Sequence, residues 1–522
     1  MTATTRRALA VLGIALVLLY PAVYIGMYAG DAEIHLVYAE NAAAGDFFKF
    51  NRDEKSSGVT STGYMLILAA FFSLAPDSLV PVIVKATNLL AWYALAALVY
   101  LAARRILDSS VWAYLAALAA GLIPGSAYNS TIGMENGMFG ALVMLFFYLA
   151  VRWDWMTADG RQDRRKDLAL WVVLGLAAWL RPEGVALGGI VFAYAALVLW
   201  RDGSRIAGVV SRLVAPSAAF AALVAAMTLF HLWATGDLLP SSGLSRVILS
   251  RAEAISLGPL WFTTKFSERM LYYPPLTGAW LLGNWLLLTG RWRPRTPIEP
   301  LLLIVFWAFF AMYSTVLGSV HLARYVIFLM PMLVIVGAIG AKCFWETLSA
   351  VDRADVQWLK VGVFALGAAG LMAVFAVETG RRRDLGSHDA LAQAMEAPGQ
   401  RAEFSDRLMA ELGNPTDLPV SLAYQEVQAR YRLDDRFVVR SLDGRVDKTL
   451  LDYVEDGNYD HLGYIKERGV DFIMETANYN RDRSLWSLSR LGQLEVGEEL
   501  ERDGVVLRRL PGSRYRVVSI AE

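Results

Sequence analysis

Long apolar stretches recur along the first 378 residues, and they constrain the fold of this chain more than any other feature. A helix needs about 20 mostly apolar residues to cross a bilayer. About eleven windows meet or approach that length, at approximately 8–28, 82–103, 111–128, 136–151, 168–180, 184–200, 206–234, 275–289, 299–317, 324–342 and 359–378. The fifth is short and ends at Arg181-Pro182-Glu183, which indicates a broken helix. We therefore predict a mostly α-helical, polytopic membrane protein with about eleven transmembrane helices.

The last 144 residues differ in composition from this apolar body. Charged residues number 51 in the first 378 positions and 47 in the last 144, although 49 Lys and Arg balance 49 Asp and Glu overall. At 56% hydrophobic residues the whole chain is too apolar for an ordinary soluble protein, yet too rich in aromatic and apolar residues to be disordered. We therefore divide it into a transmembrane domain, 1–378, and a soluble domain, 379–522.

The same composition limits the partners and the chemistry of the chain. No basic surplus exists to neutralise the phosphates of a duplex, so nucleic acid is not an expected partner. The single cysteine, Cys343, excludes an intramolecular disulfide and a multi-cysteine metal site. No Gly-rich nucleotide loop is present on the predicted cytoplasmic side, so a sugar nucleotide or ATP has no evident binding site.

The soluble domain 379–522, called the tail below, is predicted to be a compact α/β module. Its expected elements are helices at 389–412 and 453–468 and strands at 420–422, 437–439, 470–474, 505–507 and 515–520, the last two closing a hairpin or a sheet edge. It contains neither a nucleophile motif nor a metal-ligand cluster. Its expected role is structural cover or recognition of an acceptor.

Lys and Arg clusters between the predicted helices indicate the orientation, because cationic loops resist translocation. Most of them fall on one side, which is the cytoplasm if the helices number eleven; Arg381-Arg382-Arg383 is an exception. The loops 29–80 and 235–274 and the tail then lie on the periplasmic or extracellular side of the cytoplasmic (inner) membrane. Amphipathic stretches in 31–80 and 252–275 are typical of interfacial helices, which would form the roof of a cavity at this surface.

The first loop opens with Gly30-Asp31-Ala32-Glu33-Ile34-His35. A carboxylate at this depth can meet both a lipid-borne and an aqueous substrate, so Asp31 is a candidate general base. Alternatively, Asp31 caps a helix and Glu33 lies in its first turn. His35 alone signals little.

Other charged residues interrupt apolar stretches at the same predicted surface. Arg181 and Glu183 flank Pro182, and Glu135 precedes another apolar window. Charges in an apolar span are costly unless they are paired or face a cavity, so these three either tie helices together or contact substrate.

Two further cations come from loops on the predicted outer face. Arg246 ends the loop 236–246, and Arg324 follows His321 and precedes Tyr325 at the start of a hydrophobic helix. From that position Arg324 can hold a phosphate at the interface.

Taken in order, these motifs resemble those of the GT-C superfamily of integral membrane glycosyltransferases, and within it the branch of mycobacterial terminal arabinofuranosyltransferases. Arg181-Pro182-Glu183-Gly184 and Arg324-Tyr325 match the branch outright. Segments similar to its other motifs are Gly30-Asp31-Ala32-Glu33-Ile34, Val37-Tyr38-Ala39-Glu40-Asn41, Phe50-Asn51-Arg52-Asp53, Gly58-Val59-Thr60-Ser61, Gly133-Met134-Glu135-Asn136 and Gly236 to Arg246. Gly30 stands where the branch has the first acid of a pair, which leaves Asp31 as the matching carboxylate.

The resemblance implies transfer of a sugar, arabinofuranose or a hexose, from a polyprenyl-phosphate donor to a glycan, lipid or protein acceptor on the outer face of the membrane. Asp31 would take the proton of the acceptor hydroxyl during an inverting attack, and Arg324 and Arg246 would stabilise the departing phosphate. No cofactor is expected, and a divalent metal is left open. Residues expected to bind or surround the substrate are Glu33, His35, Thr60, Ser61, Glu135, Arg181, Glu183, His321 and Tyr325.

Two other classes of protein stay open at this point. A transporter or flippase of lipid-linked glycans also needs charged groups at a cavity, although such proteins commonly carry internal repeats that this sequence lacks. A non-catalytic assembly protein of the cell envelope would use the tail to bind a partner.

Overall fold

The computed structural model of the chain describes residues 3–51, 54–156, 163–201, 206–238, 240–243, 273–314, 327–350, 389–424, 427–442 and 461–476, with Phe266, Met270 and shorter stretches within 362–380 and 446–520. The chain divides into two compact units. The first unit comprises Met1–Tyr28, Val84–Met227 and Leu257–Leu391, and the second comprises Ala29–Ile83, Thr228–Ser256 and Ala392–Glu522. The predicted division at residue 378 stays a prediction, and the two units group the segment 29–83 with the tail.

Helices dominate the described residues up to 350. They are α1 (Ala3–Leu19), α2 (Gly30–Ala43), α3 (Thr62–Leu74), α4 (Val80–Leu107), α5 (Ser110–Leu122), α6 (Pro124–Thr131), α7 (Asn136–Arg152), α8 (Arg164–Leu180), α9 (Glu183–Arg201), α10 (Ile206–Thr235), α11 (Pro274–Leu288), α12 (Ile298–Met312) and α13 (Met330–Ser349). The tail adds α14 (Ala390–Glu411) and the short α15 (His461–Glu467).

Four helices in the described part of the chain are long and apolar enough to cross a membrane: Asp77–Leu107, Glu183–Arg201, Arg212–Thr235 and Ile327–Ser349. The pair Ser110–Leu122 and Gly125–Thr131, bent by 63°, makes a fifth if it forms one span. The first ten predicted windows overlap described helices, whereas the window 359–378 lies mostly outside the described residues. Eleven crossings therefore remain a prediction.

Small residues allow close helix packing in the first unit. A Cβ atom on Gly283 of α11 would lie 2.0 Å from the carbonyl oxygen of Val336 on α13. A Cβ atom on Gly340 of α13 would lie 2.1 Å from the carbonyl oxygen of Ala279 on α11. The two backbones thus approach each other at glycines, as membrane helices commonly do.

The tail builds a mixed sheet within the second unit. Its strands are β1 (Val420–Tyr424), β2 (Phe437–Ser441), β5 (Phe472–Thr476), β6 (Glu501–Arg502), β7 (Val505–Arg509) and β8 (Tyr515–Ile520), in the order β2-β1-β5-β8-β7-β6. The pairs β1–β2 and β1–β5 are parallel, and the pairs β5–β8, β8–β7 and β7–β6 are antiparallel. Four of the five predicted strands fall within these elements, and the fifth, 470–474, overlaps β5.

One predicted helix of the tail is wrong at the four described residues of its first part. The segment predicted as helical, 453–468, instead contains a two-stranded antiparallel ribbon of β3 (Val454–Glu455) and β4 (Asn458–Tyr459), followed by α15. The sequence between the two strands is Asp456-Gly457, a dipeptide that favours tight hairpin turns over helix. The helix was predicted from the helical spacing of apolar residues in this segment, and the preference of Asp-Gly for a turn opposes that prediction.

The helix α2 is buried on nearly all sides, unlike the interfacial helix expected within 31–80. Its buried residues are Ala32, Glu33, His35, Leu36, Val37, Tyr38, Ala39, Asn41 and Ala42. It packs against α3 on one side and against the 3₁₀ turn Val427–Arg432 of the tail on another. The tail thus covers the face that an interfacial helix would turn to water.

Candidate functional site

The candidate base Asp31 lies in the first turn of α2. The helix begins at Gly30, and the residue before it, Ala29, has the extended conformation of an N-cap (φ −79°, ψ 140°). Asp31 and Glu33 are therefore both first-turn residues, and Asp31 is not the cap that one interpretation of the sequence suggested. A carboxylate in this turn interacts favourably with the positive end of the helix dipole. The Asp31 side chain is half-buried, so part of its surface stays accessible.

Three other predicted site residues lie near the same ends of α2 and α3. His35 follows Asp31 by one helical turn and is buried, with its ring against the edge of Tyr64 at 5.3 Å between centroids. Thr60 and Ser61 immediately precede α3, which carries Tyr64 in its first turn. The contact between His35 and Tyr64 therefore brings the start of α3 to the first turns of α2.

Glu33 has a structural partner in the tail. Its side chain is 5% exposed, and its Oε1 lies 3.0 Å from Nη2 of Arg432. The sequence suggested substrate contact for Glu33, and it offered no signal for Arg432, which lies 399 residues further along the chain.

A second cluster of predicted residues forms a buried ion network in the first unit. Arg181 Nη1 donates to Oε1 of Glu135 at 2.8 Å, and Nη2 donates to Oε1 of Glu183 at 2.7 Å. Arg181 also donates to Oδ1 of Asn136 at 2.5 Å, while the Tyr313 hydroxyl donates to Glu183 at 3.2 Å. The three charged residues are all less than 10% exposed. The network ties the start of α7 to the break between α8 and α9, which is the structural role that the sequence left open.

Backbone geometry at the break positions this network. Helix α8 ends at Leu180, and Arg181 has the extended conformation of its C-cap (φ −152°, ψ 142°). Gly184 follows at a close approach, where a Cβ atom would lie 2.4 Å from the backbone nitrogen of Ala178. Only glycine fits there without a shift of the backbone, so the Arg-Pro-Glu-Gly motif has a steric reason for its last residue.

Sequence reasoning missed Lys85, which lies near the start of α4 in the first unit. Its side chain is 2% exposed, and Nζ donates to the carbonyl oxygens of Tyr24 and Met27 at 2.6 and 2.9 Å. The signal was available, because a single lysine in a long apolar window is costly unless it has partners. Lys85 thus holds the backbone that follows α1.

The first loop is also held by the tail through uncharged groups of the second unit. The side-chain amide of Asn51 makes two hydrogen bonds with the backbone of Val439 in β2. Asn51 Nδ2 donates to the Val439 carbonyl oxygen at 3.1 Å, and the Val439 N–H donates to Asn51 Oδ1 at 3.0 Å. Because β2 is an edge strand, Asn51 satisfies backbone groups that the sheet leaves open. The hydroxyl of Ser56 likewise donates to the carbonyl oxygen of Val446.

The remaining predicted site residues, Arg246, His321, Arg324 and Tyr325, lie outside the described residues. Within the part of the chain that the structure describes, no group of three or more His, Cys, Asp or Glu side chains is placed to hold a metal ion.

Solved structures share this fold over 89–100% of the chain. The crystal structure of ArnT from Cupriavidus metallidurans bound to undecaprenyl phosphate aligns with 100% of this chain and 99% of its own, at 15% identity and a TM-score of 0.50. The Archaeoglobus fulgidus oligosaccharyltransferase tethered with an acceptor peptide aligns with 89% of this chain and 69% of its own, at 10% identity and a TM-score of 0.53. The complex of AglB from the same organism with an inhibitory peptide and a dolichol-phosphate aligns with 90% of this chain and 70% of its own, at 11% identity and a TM-score of 0.50. The likeness shows a shared fold.

The likeness to these neighbours confirms the mostly α-helical fold with several apolar helices that the sequence predicted. The narrower resemblance to arabinofuranosyltransferases is not confirmed by them. No protein-family model and no curated protein matches the sequence.

Proposed function

We propose that this protein is a membrane glycosyltransferase that moves a sugar from a polyprenyl-phosphate donor to an acceptor at the outer surface of the cytoplasmic membrane. The observation that carries the proposal is the fold shared over 100% of the chain with ArnT, whose crystal structure holds undecaprenyl phosphate. The complex of AglB with dolichol-phosphate, a related lipid phosphate, supports the same donor class. On the basis of the sequence resemblance we propose arabinofuranose or a hexose as the transferred sugar.

In the proposed reaction, the acceptor hydroxyl oxygen attacks the anomeric carbon of the donor. The Asp31 carboxylate accepts the hydroxyl proton, the bond between the anomeric carbon and the phosphate oxygen breaks, and polyprenyl phosphate leaves with the bonding electrons. Attack at one carbon in a single displacement inverts its configuration. Asp31 suits the role of base because it is half-buried and lies in the first turn of α2.

We assign the leaving phosphate to Arg324 and Arg246 on the basis of the sequence resemblance. An arginine matches the oxygens of a phosphate with two parallel N–H groups, and it stays charged at any relevant pH. His321 and Tyr325 flank Arg324 in the sequence and are assigned to the same end of the substrate. The acceptor is a glycan, a lipid-linked glycan or a protein.

The test is a transfer assay with purified protein in lipid, a panel of radiolabelled polyprenyl-phosphate sugars and a membrane extract as acceptor. Wild type is compared with Asp31→Asn and with the control Asp417→Asn, an exposed aspartate of the second unit. We expect transfer by wild type and the control, and a loss of about 10²–10⁴-fold with Asp31→Asn, the usual contribution of a general base.

Equal transfer by wild type and Asp31→Asn would remove Asp31 from the mechanism while leaving the class intact. An absence of both transfer and donor binding in wild type would contradict the glycosyltransferase proposal. A flippase would instead move a labelled lipid-linked glycan across the bilayer without cleaving it, which a vesicle assay on the same preparation detects.

A further inference from the structure

Helix α2 presents two carboxylates to the tail, within the second unit. Glu33 and Glu40 are seven residues apart, which is two helical turns, so they share one face of the helix. Glu33 pairs with Arg432 at 3.0 Å. Glu40 accepts two parallel hydrogen bonds from Arg401, each of 2.6 Å. This fork of two parallel hydrogen bonds fixes the orientation of the Arg401 guanidinium relative to the Glu40 carboxylate, as well as the distance between them.

The two arginines are themselves held in place. Arg401 Nε donates to the carbonyl oxygen of Tyr431 at 2.9 Å, and its guanidinium lies 5.0 Å from the centre of the Tyr431 ring. Arg432 is the next residue, and it also donates to Oε1 of Gln393 at 3.4 Å. Both arginines therefore belong to one surface, made of α14 and the turn Val427–Arg432, that faces α2.

The two ion pairs are partly buried, so removing one partner costs more than at a fully exposed pair. Glu33 is 5% exposed, and the Arg401 and Glu40 side chains are 19% and 23% exposed. Burial alone would lower the pKa of Arg401, but hydrogen bonding and attraction from Glu40 raise it overall, so the guanidinium stays charged. Loss of either arginine would leave a carboxylate with reduced solvation and without that cation.

The ion pair between Glu33 and Arg432 restrains the helical turn that carries the candidate base. Asp31 precedes Glu33 by two residues, and both lie in the first turn of α2. A displacement of about 1 Å in a catalytic group can lower a rate by about 10²-fold. The tail thus has the means to control where the Asp31 carboxylate lies.

We propose that Arg401 and Arg432 are positioning residues, which hold α2 so that Asp31 can reach the acceptor hydroxyl. The inference rests on the proposed function for its catalytic part. It assigns the tail a role in the reaction besides covering the first loop, and it does so through residues that do not touch the reacting atoms.

The catalytic part is tested by a double-mutant cycle on kcat and KM with Glu33→Gln, Arg432→Gln and the double variant, all in the transfer assay. We expect Arg432→Gln to lower kcat about 10–100-fold with the donor KM nearly unchanged, because binding groups elsewhere stay in place. The double variant leaves no unpaired carboxylate at the buried position of Glu33. Its kcat should therefore fall by a smaller factor than the product of the two factors measured for the single variants. Arg407→Gln, an exposed arginine on the same helix α14, is the control and should retain full activity.

A second measurement does not depend on activity. Hydrogen exchange of the amides of 30–43, followed by mass spectrometry, should be faster in Arg432→Gln and Arg401→Gln than in wild type and Arg407→Gln. If Arg401→Gln does not fold, Arg401→Lys, which keeps the charge and removes the fork, takes its place with a smaller expected increase.

The outcomes separate this proposal from the proposed function. Faster exchange in α2 together with a fall in kcat supports the positioning role. Unchanged exchange overturns it whether or not wild type transfers sugar. Faster exchange with wild-type kinetics also overturns it, because α2 would then be held for stability alone. Strictly multiplicative losses in the cycle would mean that Arg432 acts independently of Glu33, against the proposal. A wild type that transfers no sugar while exchange follows the expected pattern would contradict the proposed function, and the contacts between tail and α2 would stand.

Discussion

Two sets of paired charges, one in each unit of this molecule, are buried to different degrees. In the first unit, Arg181 lies between Glu135 and Glu183 with all three less than 10% exposed. Asn136 accepts a further hydrogen bond from Arg181, and Tyr313 donates one to Glu183. In the second unit, Arg401 and Glu40 keep about a fifth of their side-chain surface exposed. Desolvation of charged groups costs free energy, so buried ion pairs need additional hydrogen bonds from neighbouring polar groups. Partly hydrated pairs cost less, and they can orient a helix without being essential to the fold.

The largest effect that this comparison predicts is on Arg181. Arg181→Met would leave two buried carboxylates without their cation, and we expect a loss of about 3–5 kcal/mol in the free energy of unfolding. Denaturant or thermal unfolding of the protein in detergent measures it. The triple variant Arg181→Met, Glu135→Gln, Glu183→Gln removes all three charges and should recover most of the loss. A stability of Arg181→Met equal to wild type would show that the network does not tie the first unit together.

A smaller effect is expected at Glu40 in the second unit. Glu40→Gln keeps a hydrogen-bond acceptor for Arg401 but removes the charge, so we expect a loss of about 1–2 kcal/mol in the free energy of unfolding. The same unfolding experiment measures it, and a reduced loss at high salt would confirm its electrostatic origin. A loss as large as that of Arg181→Met would show that the two sets of paired charges do not differ in this respect.

The smallest effect concerns pH and Asp434, which lies just after the turn Val427–Arg432 of the second unit. Burial alone would raise the pKa of Asp434, but hydrogen bonds from Arg436 lower it overall. A carboxylate with a lowered folded-state pKa stabilises the protein above its unfolded pKa of about 3.9, and this contribution is lost as the pH falls through the folded value. Asp434→Asn should therefore be slightly less stable than wild type at pH 7. The difference should shrink below about pH 4 in an acid titration. A difference that is constant with pH would contradict this assignment.

Local sequence patterns predicted much of this architecture, and particular residues show where they stopped. The cost of charge in an apolar span predicted that Glu135, Arg181 and Glu183 are paired or face a cavity, and the structure pairs them. The break after Leu180 was predicted from Arg181-Pro182-Glu183, because proline ends or interrupts helices. The helix prediction followed an apolar period and gave no weight to the turn dipeptide Asp456-Gly457, so Val454–Glu455 and Asn458–Tyr459, which form strands, were predicted as helix.

The partners of the first loop were beyond such patterns. Glu33 meets Arg432, and Asn51 meets Val439, at separations of 399 and 388 residues. A side chain on an exposed-looking loop carries no local sign of which distant strand or turn will cover it. For this reason α2 was predicted as an interfacial helix, although the structure buries it between α3 and the tail.

The sequence by itself determined where the chain is apolar enough to form long helices, and that one of them breaks at Arg181-Pro182-Glu183. These properties follow from hydrophobicity, proline geometry and charge cost, which act over a few neighbouring residues. Only the tertiary structure decided that Glu33 and Glu40 bind arginines of the tail, that Lys85 holds the carbonyl groups after α1, and that Asn51 completes an edge strand. Each of these contacts depends on which segments the folded chain brings together.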